Sequence, residues 1–226
     1  MSKFEKFKLL LEENEFLVAT LETIYMTVVS MIFAYLFGLI IGVLLYITKD
    51  KGLKQNKILN KVLGFIVNVA RSIPFIILIT ALIPVTKLLI GKSIGNEAMI
   101  IILIIGATPY IARLVESSLN EVNYGVIEAS IAMGSSTWQI IRKVLLPEAK
   151  PGLVNGFIIA TVTVIGYTAM ASTIAGGGLG ALASQYGKNQ YNNYVIWFCI
   201  LIIVIIVQVI QEVGIKIVKK IDKRRG

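Results

Sequence analysis

Uncharged apolar runs alternate with short charged connections along this chain, and the pattern predicts an all-α protein that crosses a membrane five times. The first run, 24–47, holds no charged residue and is long enough to span about 30 Å of hydrocarbon. The second, 58–82, contains Arg71 and Pro74; Pro74 predicts a kink, and Pro84 an end. The third, 98–112, has Pro109 near its end, and its helix should continue through Arg113, Glu116 and Glu121. Arg113 and Glu116 stand three apart, the spacing of a helical ion pair. The fourth run covers 152–172 and the fifth 191–213, with Tyr191, Tyr194 and Trp197 suited to a membrane interface. Before the first run, Phe4, Phe7, Leu11 and Val18 recur at helical spacing, which predicts a surface amphipathic helix over 1–19. Gly38 and Gly42 form a G-x-x-x-G that permits close helix approach. Residues 173–187 are glycine-rich and uncharged, and two readings stand for them: a re-entrant piece buried in protein, or a plain extracytoplasmic turn.

Charge gives the spans an expected orientation. The 226 residues are 56% hydrophobic and 15% charged, with net charge +9. In a soluble chain such a charge would suggest nucleic acid; here most of it lies in short loops beside apolar runs. Five lysines (49, 51, 54, 57 and 61) face Asp50 alone between the first two runs. The central loop adds Arg113, Arg142, Lys143 and Lys150, and the tail Lys216, Lys219, Lys220, Lys223, Arg224 and Arg225. The opposite side holds Lys3, Lys6, Lys8, Lys87, Lys92 and Lys188. Basic residues concentrate on the cytoplasmic side, so the N-terminus is expected outside and the C-terminus inside. Nothing resembles a cleavable signal peptide.

Chemistry narrows the classes further. Histidine is absent and Cys199, in an apolar run, is the single cysteine, which removes zinc, Cys–His and Ser–His constellations. Gly91-Lys92-Ser93 has the end of a phosphate-binding loop, but Thr86 stands where its first glycine belongs and no strand precedes it. No nucleophile–base pair is visible, so an integral-membrane enzyme is not expected. No Asp or Glu lies inside a predicted span apart from Glu212, one residue from the end of the fifth, which argues against an ion-coupled secondary transporter, the alternative class.

The stretch 128–147, EASIAMGSSTWQIIRKVLLP, is the longest polar-containing segment between apolar blocks. Gly134 is placed to end or cap a helix, because glycine takes positive φ without penalty. Ser136 and Gln139 have capping-box spacing, so a new helix is expected there. Trp138, Ile141 and Leu145 should share one face, with Arg142 and Lys143 opposite, and Pro147 should stop the run. The segment therefore reads as a short amphipathic helix between two bends.

This spacing of Glu128-Ala129-Ser130, Gly134 and Leu145-Leu146-Pro147 resembles the EAA loop of ABC-importer permeases. Ser130 and Val144 are mild departures from that pattern. Arg71-Ser72-Ile73-Pro74-Phe75, the run 106–113, the run 142–149 and Gly166-Tyr167-Thr168-Ala169-Met170 all look like the methionine ABC importer permeases, a likeness covering most of 20–215. The resemblance implies a type I ABC importer permease fold: an N-terminal segment 1–19, a transmembrane domain 20–215 with coupling loop 128–147, and a basic tail 216–226. It implies a bacterial inner-membrane location, a permease homodimer on a dimer of ATPase subunits, and an external methionine-binding protein, with lipid around the spans. ATP and Mg would sit on the ATPase, leaving this chain without a cofactor. The residues it implies for ATPase coupling are Glu128, Ala129, Gly134, Trp138, Ile141, Leu145 and Pro147. The loop is common to permeases of different small solutes, so the substrate expectation rests on the spans. For the pathway, Tyr167, Met170 and Ser172 are expected on one span bordering a central cavity, with packing filler the plainer reading of Met170. Arg71 has two readings, a cavity-facing charge or a snorkelling residue at the end of a shorter span.

Overall fold

A computed structural model describes residues 2–222. No strand occurs among the described residues, and the helices are α1 (Lys3–Glu12), α2 (Glu15–Thr48), α3 (Lys57–Ser72), α4 (Phe75–Ile90), α5 (Asn96–Asn120), α6 (Tyr124–Ala132), α7 (Thr137–Ile140), α8 (Leu146–Glu148), α9 (Lys150–Thr168), α10 (Leu179–Leu182) and α11 (Asn193–Ile221). α2, α5, α9 and α11 are long and apolar enough to cross a membrane; α3 and α4, which together cover the expected second run, are bent by 110° at their break and bring the number to five if the pair counts as one span. Two compact units result, one of 1–33, 73–106 and 161–211, the other of 34–72, 107–160 and 212–226.

In the first unit, Ser2 and Glu5 form a capping box that starts α1. The chain breaks at Asn14, which takes left-handed φ 58°, so the amphipathic segment is a ten-residue helix and not one run to residue 19. Its anchor is Leu10, buried with Phe16, Ala19, Leu179, Leu182, Val195 and Cys199. Rings of Phe7, Phe16 and Phe198 meet edge to face at 4.7–5.8 Å, a preferred aromatic geometry. Pro84 does not end α4, which runs on to Ile90 and stops at Gly91 in left-handed φ 71°. One proline removes one backbone bond, and an apolar helix tolerates that loss when its neighbours re-satisfy the freed carbonyl.

The fourth span is shorter than expected. α9 stops at Thr168, whose hydroxyl donates to the Ile165 carbonyl. Met170 then precedes a 3-10 turn over Ala171–Ile174, and Ala175 is left-handed at φ 50°. The glycine-rich stretch beyond it is packed rather than open. The Gly177 amide donates to Asn96 Oδ1 at 2.6 Å, Gly178 to Glu22 Oε2 at 2.7 Å and Leu179 to Thr23 Oγ1 at 2.9 Å. Asn96 Nδ2 donates to Glu22 Oε1 at 3.0 Å, closing the network. Irregular backbone is thus satisfied by side chains, as burial away from water requires. Glu22 lies within α2, so an acidic residue does sit in a long apolar helix, which extends well before residue 24.

In the second unit, the G-x-x-x-G of α2 packs on α5. A Cβ at Gly38 would stand 2.5 Å from Ile111 Cγ2, and one at Gly42 2.6 Å from Val115 Cβ, so only glycine allows this approach. The Tyr35 hydroxyl donates to the Leu153 carbonyl at 2.9 Å, tying α2 to α9. The Arg113–Glu116 pair forms at 2.5 Å, and Arg113 also donates to Gly64 O and Asn68 Oδ1, binding α5 to α3. The last described turns belong to α11, which carries Lys216, Lys219 and Lys220 past the expected end at 213; Lys223, Arg224 and Arg225 lie outside the described residues.

Candidate coupling surface

The loop begins at Asn123, whose side chain accepts the Gly125 amide at 2.9 Å and starts α6. Glu128 and Ala129 are exposed on this helix, while Ser130 is buried. The Ser130 hydroxyl donates to the Val126 carbonyl at 2.8 Å, so the departure from alanine leaves no unsatisfied polar atom. Gly134 takes φ 77°, and its amide donates to Ile131 O at 2.9 Å; Ser135 N reaches back to Ser130 O at 3.1 Å. This is a left-handed cap just past the helix end. No atom lies within 4 Å of where a Gly134 Cβ would stand, so the glycine answers to backbone geometry and not to crowding inside this chain.

The second helix starts as its spacing predicts. Gln139 N donates to Ser136 Oγ at 3.4 Å, and Ser136 N donates to Gln139 Oε1 at 2.8 Å. Beyond Ile140 the chain departs from the expected helix. Residues Ile141–Leu145 form a π-helical turn, and the helix resumes at α8 without stopping at Pro147. Ala149 N donates to Leu145 O and Leu153 N to Ala149 O, so bonding carries through into α9. A proline ring collides with the carbonyl four residues earlier in a regular helix, and the wider turn just before Pro147 is where such a ring is accommodated.

Exposure divides the side chains expected to share a face. Trp138 is 67% exposed, whereas Ile141 and Leu145 are buried at 7% and 0%. The three therefore do not form one presented face. Ile141 and Leu145 support the loop from within, and the outward apolar side chains are Tyr124, Val126, Ile131, Met133 and Trp138. Arg142, Lys143 and Pro147 are exposed beside them. Met133, at 77% exposure, belongs to no periodic face in the sequence; its place directly before the capping glycine is the one signal that marks it.

The expected pathway residues separate. Arg71 is exposed in the last turn of α3, the end position of a short helix, where a positive charge complements the helix dipole. Tyr167 is half-buried and stacks on Phe75 at 4.1 Å between centroids and 9° between planes. Met170 and Ser172 are half-buried beyond the end of α9, Met170 just before the 3-10 turn and Ser172 within it, so they do not share a span with Tyr167. Periodicity gives no sign of the Glu22–Asn96 network; a lone carboxylate in an apolar helix is its only signal.

Known proteins share this architecture. The family described as binding-protein-dependent transport system inner membrane component matches residues 34–224. The probable D-methionine transport system permease protein MetI of Vibrio cholerae is 44% identical over 214 residues, 95% of each chain. The methionine import system permease protein MetP of Bacillus subtilis is 45% identical over 98% of this chain and 100% of its own. A solved structure described as an inward-facing conformation of the MetNI methionine ABC transporter superposes with TM-score 0.91 at 43% identity, covering 99% of this chain and 100% of that one. The chain belongs to the family of binding-protein-dependent transport system inner membrane components.

Proposed function

We propose that this chain is the membrane-spanning permease subunit of an ATP-driven importer for methionine, both D- and L-. The observation that carries the substrate is full-length likeness, at 44–45% identity, to permeases named for methionine or D-methionine transport. The observation that carries the mechanism is the loop 124–148. Two capped helices present exposed Glu128, Ala129, Gly134, Met133 and Trp138, and rest on buried Ile141 and Leu145.

That exposed patch docks on a separate ATPase, which carries ATP and Mg; this chain holds no cofactor and performs no covalent chemistry. Two copies of the permease sit on an ATPase dimer in the bacterial inner membrane, with the N-terminus outside and the loop in the cytoplasm. An external methionine-binding protein delivers the substrate. ATP closes the ATPase dimer and moves the loops together. Continuous helical bonding from α8 into α9 supports direct transmission of that motion. Nucleotide biases the pathway only through its different affinity for the two conformations. Pro147 lies exposed at the joint, and Arg71, Tyr167, Met170 and Ser172 are the residues proposed for the pathway and its margins.

The test is uptake of labelled methionine by cells lacking their own importer and expressing this chain with its neighbouring ATPase and binding protein. Uptake is expected, and its loss in Gly134→Asp, with the ATPase no longer co-purifying, would support substrate and coupling together. No methionine uptake with the ATPase retained would reassign the permease to another small solute. Failure to retain any ATPase would reopen the secondary-transporter reading.

A further inference from the structure

The second unit contains a cleft of about 280 Å³ between the lysine-rich connection after α2 and the loop helices α6 and α7. Lys49 and Lys51 line it with Tyr46, Tyr124, Ser135 and Thr137, and Leu53, Ile127 and Ile131 supply an apolar floor. The Lys49 ammonium lies 4.0 Å from the centre of the Tyr46 ring and donates to Asn120 Oδ1. Burial pulls the Lys49 ammonium below its ordinary pKa, and the Glu116 carboxylate acts the other way. The nearby acids are engaged elsewhere: Glu116 with Arg113, and Asp50 with Lys57 at 3.5 Å and Gln55 at 2.5 Å. Lys51 makes no ion pair among the described residues, and it is held in a left-handed conformation at φ 57°.

Position narrows the occupant. The uncharged run 24–47 ends one residue before Thr48, the last residue of α2, so Lys49 sits where hydrocarbon gives way to headgroups. Two ammonium groups, hydroxyls and an apolar floor at that level fit a negatively charged phosphodiester whose acyl chains continue along apolar helix. We propose that the cleft binds the headgroup of an anionic phospholipid of the cytoplasmic leaflet. The lipid phosphate meets Lys49 and Lys51, and the hydroxyls of Ser135 and Thr137 donate to its oxygens. Since α6 and α7 form one wall, the bound lipid braces the loop proposed to dock on the ATPase. This inference rests on the cytoplasmic placement of that loop, which an accessibility measurement tests independently.

The experiment is native mass spectrometry of the permease–ATPase complex with phosphatidylglycerol or phosphatidylcholine. Retention of phosphatidylglycerol over phosphatidylcholine is expected. Lys51→Gln, at an exposed position, should lower it about fivefold, as one lysine near an anionic surface implies. Lys49→Gln with Lys51→Gln should lower it further, and the arginine pair should preserve it. Equal retention by the wild type and the Gln variants would overturn the proposal. Displacement of the lipid by an equal concentration of inorganic phosphate would make the cleft a soluble phosphate site instead. Loss of retention only when the ATPase is bound would assign the cleft to an acidic segment of that partner. Lipid retention is also read on the permease alone, so failure of the ATPase to bind leaves this result separately interpretable.

Discussion

Two glycines show how differently one residue type is required. Gly134 is fixed by its backbone, at φ 77° with open space around it. Gly134→Ala should therefore cost about 1 kcal/mol locally through left-handed strain, and the protein should still fold. Asp tolerates that conformation better than Ala. Loss of ATPase co-purification in Gly134→Asp with an unchanged melting temperature would thus report the docking contact and not strain. Gly177 is fixed by its neighbour, because a Cβ there overlaps the Glu22 carboxylate. Gly177→Ala should destabilise by about 1–3 kcal/mol through overpacking. Glu22→Ala strips the acceptor from the buried Gly178 amide, at a cost of about 1–3 kcal/mol. The double variant should cost less than the sum, since the added methyl enters the space the carboxylate leaves. Thermal unfolding of the three proteins in detergent measures the coupling, and strict additivity would mean the two residues act separately.

At the level of elements, the long apolar helices were legible because membrane spans are set by length and charge, which composition records directly. The caps at Gly134 and Ser136 were legible too, since each depends on a residue and its near neighbours. Features that depend on distant partners were not. The π turn over Ile141–Leu145 rotates the helix, and nothing in a three-and-four spacing foretells it. Burial separates two roles that one face would have merged, covering Ile141 and Leu145 and leaving Trp138 exposed. Leu145→Ala, at a fully buried position, should destabilise by about 2–5 kcal/mol. Trp138→Ala, at a mostly exposed one, should leave stability within about 0.5 kcal/mol of wild type while reducing ATPase retention. A Trp138→Ala protein that binds the ATPase normally would remove Trp138 from the docking surface. The glycine stretch 173–187 was ambiguous for the same reason: its amides are satisfied by Glu22, Thr23 and Asn96, which lie far away in sequence.

For the whole molecule, the orientation argument decides whether the parts can work together at all. Fifteen of the lysines and arginines fall on one proposed side (48–61, the central loop and the tail) and six on the other. The orientation proposed from that bias has the 124–148 loop on the side where ATP is available to a soluble ATPase. The same proposed orientation has α1, which begins at the Ser2 cap, outside. The single native cysteine, Cys199, is fully buried, which makes engineered thiols clean reporters. A cysteine at Ser2 should react with a membrane-impermeant maleimide on intact cells, and one at Lys54 only after the cells are opened. Both positions are exposed, so a negative result would reflect the membrane and not burial. The reverse pattern would put the loop outside the cell, beyond reach of any cytoplasmic ATPase. It would remove the coupling assignment and the inner-leaflet lipid site together, while leaving the helical architecture and the family membership untouched.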